Sequence, residues 1–265
     1  MYAFEYHKPS TLDEAKALLA GGEDPKLLAG GQTILPTMKQ RLASPSDLVD
    51  LSGVAELKGI RDTGDALVIG AMTTHAAVAA DATVRAAIPA LASLASGIGD
   101  PQVRHRGTIG GSVANNDPAA DYPAAVLALG ATVKTTKREI AADDFFQGLF
   151  ETALEEDEII LSIAFPKPKR AAYAKFDNPA SRYAIVGVFV AETGSGVRVA
   201  VTGAGQEGVF RSTELETALG QSLTPEAAKA VKVSADGLNG DIHASPEYRA
   251  HLIPVMASRA VAALA

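Results

Sequence analysis

A chain of 265 residues without a single cysteine can bury two or three compact lobes, yet holds neither a disulfide nor a thiolate-ligated iron–sulfur cluster of its own. Its formal charge of −7 argues against a nucleic-acid surface, and the absence of Trp leaves little on which bases could stack. No long apolar run and no charged-then-apolar leader is read in it, so no integral membrane segment is expected and the chain reads as cytoplasmic.

Residues 1–55 read as a small βαβ-like lobe. Ser10 or Thr11 caps a helix whose Leu12, Ala15, Leu18 and Leu19 share a face, and Gly21-Gly22 ends it. An apolar strand, Lys26 to Leu28, runs into Gly30-Gly31; a short helix over Thr37–Leu42 and a strand over Leu48–Leu51 follow. Residues 56–168 form a second lobe. It starts with a strand over Ala66–Gly70 and one alanine-rich helical stretch from Thr74 to Leu94. A glycine-rich loop and a helix capped by Asp121 come next, then strands over Ala131–Thr135 and Glu158–Phe165. The acidic run Glu155 to Glu158 reads as a solvated turn, and Pro166-Lys167-Pro168-Lys169 as a linker.

The third lobe, residues 169–265, changes texture. Ala172–Phe176, Ala184–Ala191 and Val197–Thr202 read as consecutive strands, with a hairpin turn at Thr193-Gly194-Ser195-Gly196. Helices follow over Ser212–Leu219, from Thr224-Pro225-Glu226, and over Pro246–Leu264, where Pro254 is expected to kink or restart the helix near Ile253.

Two glycine segments carry the functional signal. One is Ala29-Gly30-Gly31-Gln32-Thr33-Ile34; the other, about eighty residues on, is Thr108-Ile109-Gly110-Gly111-Ser112 with Asn115 and Asp121 close behind. Residues without a Cβ let the backbone approach a bulky anion and leave N–H groups free to donate. Neither segment has the spacing of a Rossmann fingerprint or a P-loop. Each alone reads equally well as a tight turn; together they suit a dinucleotide whose pyrophosphate is clasped from two sides.

The stretch Ala29 to Leu42 with Leu48-Val49-Asp50-Leu51, and the motif running on from Ile98-Gly99-Asp100, resemble the FAD-binding medium subunits of molybdenum hydroxylases. That family includes carbon monoxide dehydrogenase medium chains and xanthine dehydrogenase FAD subunits. The resemblance spans nearly the whole chain and is strongest over its first two thirds. It implies an α+β fold: an FAD-binding part of two α/β subdomains of the PCMH/VAO type, then a C-terminal domain with a three-stranded antiparallel sheet and helices. It implies non-covalent FAD as cofactor. It further implies an iron–sulfur small subunit, a molybdopterin large subunit and an external electron acceptor as partners.

By motif match, Ala29, Gly30, Gly31, Gln32, Thr33 and Ile34 would hold the pyrophosphate from one side. Thr108, Ile109, Gly110, Gly111 and Ser112 would hold it from the other, with Asn115 and Asp121 at the phosphate–ribityl region. Leu161 would touch the isoalloxazine through its backbone, Lys175 would face the ring's electron-poor edge, and Tyr183 would cover one ring face. Taken without the resemblance, Asp121 is a helix cap, Leu161 a core leucine and Lys175 a solvated strand lysine. Lys39 and Arg41 read either as cations near the two phosphates or as ordinary residues of a short surface helix, and Arg104 and Arg106 as loop supports or partner contacts. The five histidines lie too far apart for a metal motif, and no Gly-x-Ser-x-Gly elbow is present. No catalytic side chain and no metal site are therefore expected. The alternatives are a self-contained flavoenzyme of the same fold and a flavin-free assembly protein.

Overall fold

The computed structural model describes residues 1–264; Ala265, the last residue of the expected third lobe, lies outside them. The chain opens with β1 (Glu5–His7), α1 (Leu12–Gly21), β2 (Pro25–Leu28), α2 (Ile34–Lys39) and β3 (Asp47–Asp50). Strand β3 lies between β1 and β2 and pairs with both in parallel. Helix α1 starts at a capping box, in which Thr11 Oγ1 accepts from the Glu14 N–H and the Glu14 carboxylate from the Thr11 N–H. Its Ala15 and Leu19 then bury against Val49, Leu51, Val54 and Leu57. Helix α2 begins three residues earlier than the sequence pattern places it, because Pro36 falls in the first turn, where a missing N–H loses no bond.

The second unit contains β4 (Ile60–Asp62), β5 (Ala66–Gly70), α3 (His75–Ala80), α4 (Ala82–Ala87) and α5 (Pro89–Ser96). It continues through α6 (Pro101–Arg106), α7 (Ile109–Asn115), α8 (Tyr122–Ala128), β6 (Thr132–Thr135), β7 (Glu139–Ala141) and α9 (Ala142–Phe145). A small hairpin, β8 (Phe146–Gly148) with β9 (Glu151–Thr152), precedes β10 (Ile160–Pro166). The sheet order is β4-β5-β10-β6-β7, with antiparallel pairing throughout. The single helix expected over Thr74–Leu94 is instead three. Asp81 accepts from the Thr83 and Val84 N–H groups and starts α4, while Pro89 forces Ile88 out of helical geometry and starts α5. The second glycine segment is likewise not a loop: Thr108 caps α7, and Gly110 and Gly111 sit in its first turn.

The third unit has the three long strands expected of it, β11 (Arg170–Asp177), β12 (Ala184–Thr193) and β13 (Gly196–Gly205), plus a short edge strand, β14 (Gly208–Arg211). Helices α10 (Thr213–Gln221), α11 (Pro225–Ala230) and α12 (Pro246–Ala262) complete it. Strand β12 is buried on both faces. Phe189 and Ala191 join the core that holds α5 and α8, whereas Val186, Val188 and Val190 pack with Ile253, Met256 and Ala257 of α12. Helix α12 runs through Pro254 without restarting. The surrounding burial holds it, as does Arg249, whose guanidinium donates to the Ile185 and Gly203 carbonyls and to Asp241.

The acidic run is not all solvated. Glu158 is buried, accepting from Thr135 Oγ1 at 2.6 Å, Arg138 Nη2 at 3.1 Å and the Glu155 N–H at 3.0 Å. Burial works against its charged form, but these donors outweigh burial and hold the carboxyl down from 4.5 to about 2. A carboxylate depressed on folding adds stability that is present above its ordinary pKa and lost as pH falls through the folded value. Glu158→Gln should therefore lower unfolding stability at pH 7 by about 2–3 kcal/mol, with most of the gap closing by about pH 2. Urea unfolding of both proteins at neutral and acidic pH checks this; a gap of constant size would contradict it.

Candidate functional site

The two glycine segments meet. A Cβ on Gly30 would lie 2.3 Å from the Arg106 carbonyl oxygen and 2.6 Å from the Gly107 Cα, so the backbones touch where no side chain fits. A Cβ on Gly111 would come within 3.3 Å of the Ala29 methyl. Where the segments meet, a cleft of about 550 Å³ opens between the first unit, the second unit and the turn before β12.

The segments present different chemistry to this cleft. Among the described residues, none of the five N–H groups from Gly30 to Ile34 donates to a protein acceptor, and all five residues line the cleft. Gly31 adopts φ +74, a left-handed conformation that turns the run. Across the cleft the amides are mostly spent. The Ile109 N–H bonds the Thr73 carbonyl at 3.1 Å, Gly110 bonds that of Ala71 at 2.8 Å, Gly111 bonds Thr108 Oγ1 at 3.2 Å and Ser112 bonds the Thr108 carbonyl at 3.1 Å. Gly110 is therefore a packing glycine rather than an amide donor, since its Cβ would stand 2.7 Å from the Ala71 oxygen. This side offers side chains instead: those of Ser112 and Asn115 line the cleft and bond to no protein group among the described residues.

Of the residues expected at the site, Ala29, Gly30, Gly31, Gln32, Thr33, Ile34, Thr108, Gly110, Gly111, Ser112, Asn115, Asp121 and Tyr183 line the cleft. Ile109, Leu161 and Lys175 do not. The Ile109 side chain is in the core, and the Leu161 carbonyl accepts the Ala71 N–H at 3.0 Å. The Lys175 ammonium is held by the Gly97 carbonyl at 3.0 Å, Asp121 Oδ1 at 3.1 Å and the Arg182 carbonyl at 2.9 Å. Asp121 is not the helix cap its position suggests: it is itself in helical geometry and makes no capping bond. Its buried carboxylate accepts from the Tyr173 hydroxyl and Lys175, and burial raises its pKa against the opposing pull of both partners. Arg104 donates to the Ile98 and Gly99 carbonyls at 2.9 and 2.8 Å, ahead of α6, and Arg41 lies over the Tyr2 ring.

Several lining residues escaped the sequence reading. Leu51, Met72 and Ile159 wall the cleft as part of an apolar cluster shared by the first and second units, a role indistinguishable in sequence from plain core. Buried His75 also lines it, with Nδ1 unpartnered among the described residues and the ring 5.3 Å from that of Tyr122. Burial, then the Arg104 charge, push its pKa down to about 4, so the ring is neutral at pH 7. Its only sequence signal is the capping residue Thr74 before it.

Residues 2–168 match the family described as the FAD binding domain in molybdopterin dehydrogenase. The chain belongs to that family. Over 97% of its length it is 37% identical to the carbon monoxide dehydrogenase medium chain of Hydrogenophaga pseudoflava, covering 96% of that protein. It is also 37% identical to the nicotine 6-hydroxylase medium subunit of Paenarthrobacter nicotinovorans, covering 98% of this chain and 96% of that one. Among solved structures, quinoline 2-oxidoreductase from Pseudomonas putida 86 superposes with a TM-score of 0.89 at 30% identity, covering 99% of this chain and 96% of that chain. This member of the family is an FAD-binding oxidoreductase subunit. The run of free N–H groups fits a diphosphate, which accepts hydrogen bonds at every non-bridging oxygen. Gly30→Ala and Gly110→Ala should each lower the melting temperature by roughly 3–10 °C, because a methyl must displace backbone. Calorimetry of the flavin-free protein reads this; an unchanged transition in the first variant would mean that Gly30 does not touch the Arg106–Gly107 backbone, and in the second that Gly110 does not press on Ala71.

Proposed function

We propose that this chain is the FAD-binding, electron-transfer subunit of a three-part molybdenum hydroxylase of the carbon monoxide dehydrogenase type. A small iron–sulfur subunit and a large molybdopterin subunit are its partners, and an external acceptor takes the electrons. The observation that carries the reading is five N–H groups from Gly30 to Ile34 without a protein acceptor, on residues that line one cleft with neutral Ser112 and Asn115. In this reading the first segment holds the pyrophosphate with backbone N–H groups, and Ser112 and Asn115 complete the hydrogen bonds from the other side. When bound, FAD supplies a carrier that takes up electrons singly and releases them singly or as a hydride. The chain's own residues bind and orient it; none is placed as acid, base or nucleophile on an organic substrate.

The chain has no cysteine with which to ligate a cluster, which agrees with clusters residing on another polypeptide. We place the domain boundaries near residues 55 and 168, and the complex in the cytoplasm. No helix among the described residues is long and apolar enough to cross a membrane.

Two measurements test the reading. Affinity purification of this chain, expressed with its complex, should recover FAD, iron and molybdenum in fixed ratio. Recovery of a monomer that oxidises an organic substrate unaided would overturn it. Asn115→Leu should weaken FAD binding about tenfold, as expected for one lost hydrogen bond to a charged ligand, read by fluorescence titration.

A further inference from the structure

Lys175 is expected from the family pattern to face the flavin, yet it does not line the cleft: its ammonium is taken up by protein acceptors, two of them on the lining residues Asp121 and Arg182. Its side chain is 10% exposed, and its contacts join three separate pieces of chain. One is the Gly97 carbonyl at the end of α5, the second is Asp121 at the start of α8, and the third is the Arg182 carbonyl in the turn between β11 and β12. The ammonium has three N–H donors, and three acceptors use them.

The turn it holds is the one that carries Tyr183. Residues 178–183 close on themselves: the Asn178 N–H donates to the Tyr183 carbonyl at 2.8 Å, and the Arg182 N–H to the Asn178 carbonyl at 2.9 Å. Asn178 Oδ1 accepts from the Ala180 and Ser181 N–H groups. Arg182 sits at φ +63, a left-handed conformation that a side chain with a Cβ disfavours. To the turn's own bonds Lys175 adds one from outside, to the carbonyl of that same residue. The next residue, Tyr183, is half exposed and lines the cleft. Asp121, itself fixed by the Tyr173 hydroxyl, anchors the ammonium from behind.

We propose that Lys175 is a positioning residue: bridged between Gly97, Asp121 and the Arg182 carbonyl, it locks residues 178–183 and so fixes the Tyr183 ring at the cleft. It acts on the flavin through Tyr183 and not by contact. The proposal deepens the function given above and rests on FAD occupying this cleft.

The test has two arms that fail separately. In the first, hydrogen exchange is measured on the flavin-free protein. Lys175→Met should speed exchange across 178–184 about tenfold while leaving α12 unchanged, since one charge-assisted bond to a strained residue is lost. Should K175M not fold because Asp121 is left as an unpaired buried charge, the double variant K175M/D121N removes both charges and carries the same expectation. Unchanged exchange in the folded variant overturns the clamp. In the second arm, visible circular dichroism and the rate of reoxidation by oxygen are read on the FAD-loaded protein. K175M should reproduce the changes of Tyr183→Ala, and K175M/Y183A should add nothing to Y183A alone. Additive effects would mean Lys175 acts on the flavin independently, overturning the proposal. A wild-type chain that takes up no FAD would instead sink the functional reading, while the exchange result would still decide the clamp.

Discussion

A backbone-to-backbone contact between Gly30 and the Arg106–Gly107 peptide is the constraint on which the site depends. Two units with different sheets, one parallel and one antiparallel, meet there without a side chain between them. Beside this contact, the N–H groups of Gly30 to Ile34 remain unspent. A strand pairing or a side-chain layer at that seam would consume those donors or hold the segments apart. The donor-rich wall of the cleft is thus a by-product of how tightly two lobes can be joined when Cβ atoms are missing.

The opposing segment shows that similar sequences do different work. Gly110-Gly111 resembles Gly30-Gly31 on paper, yet it lies in a helical turn whose amides go to Ala71 and Thr108. Its glycines let α7 press against the strand end at Ala71, and the polar task passes to Ser112 and Asn115. One wall offers backbone N–H groups, the other side chains.

Much of this was legible from the sequence. Capping residues and prolines set helix starts at Thr11, Ser212 and Thr224, and the Gly194-Ser195 turn set the β12–β13 hairpin. Local chemistry decides such features, so local reading finds them. What failed was non-local. Asp121 has the sequence position of a cap, but a lysine and a tyrosine more than fifty residues away take its carboxylate. Glu158 sits in an acidic run and yet is buried, because Arg138 and Thr135 reach it across the sheet. Lys175 has the alternation of an exposed strand residue, and only the fold shows the carbonyls waiting for it. In each case a charge found its partner through tertiary packing, which no periodicity records.

Strand β12 carries one further implication. Phe189 and Ala191 belong to the same core as α5 and α8, so the last hundred or so residues supply part of the interior of the lobe before them. A protein cut at Lys169 would lay that apolar surface bare and would be expected to aggregate. The region before the linker and the C-terminal unit are separate in sequence pattern but share one interior.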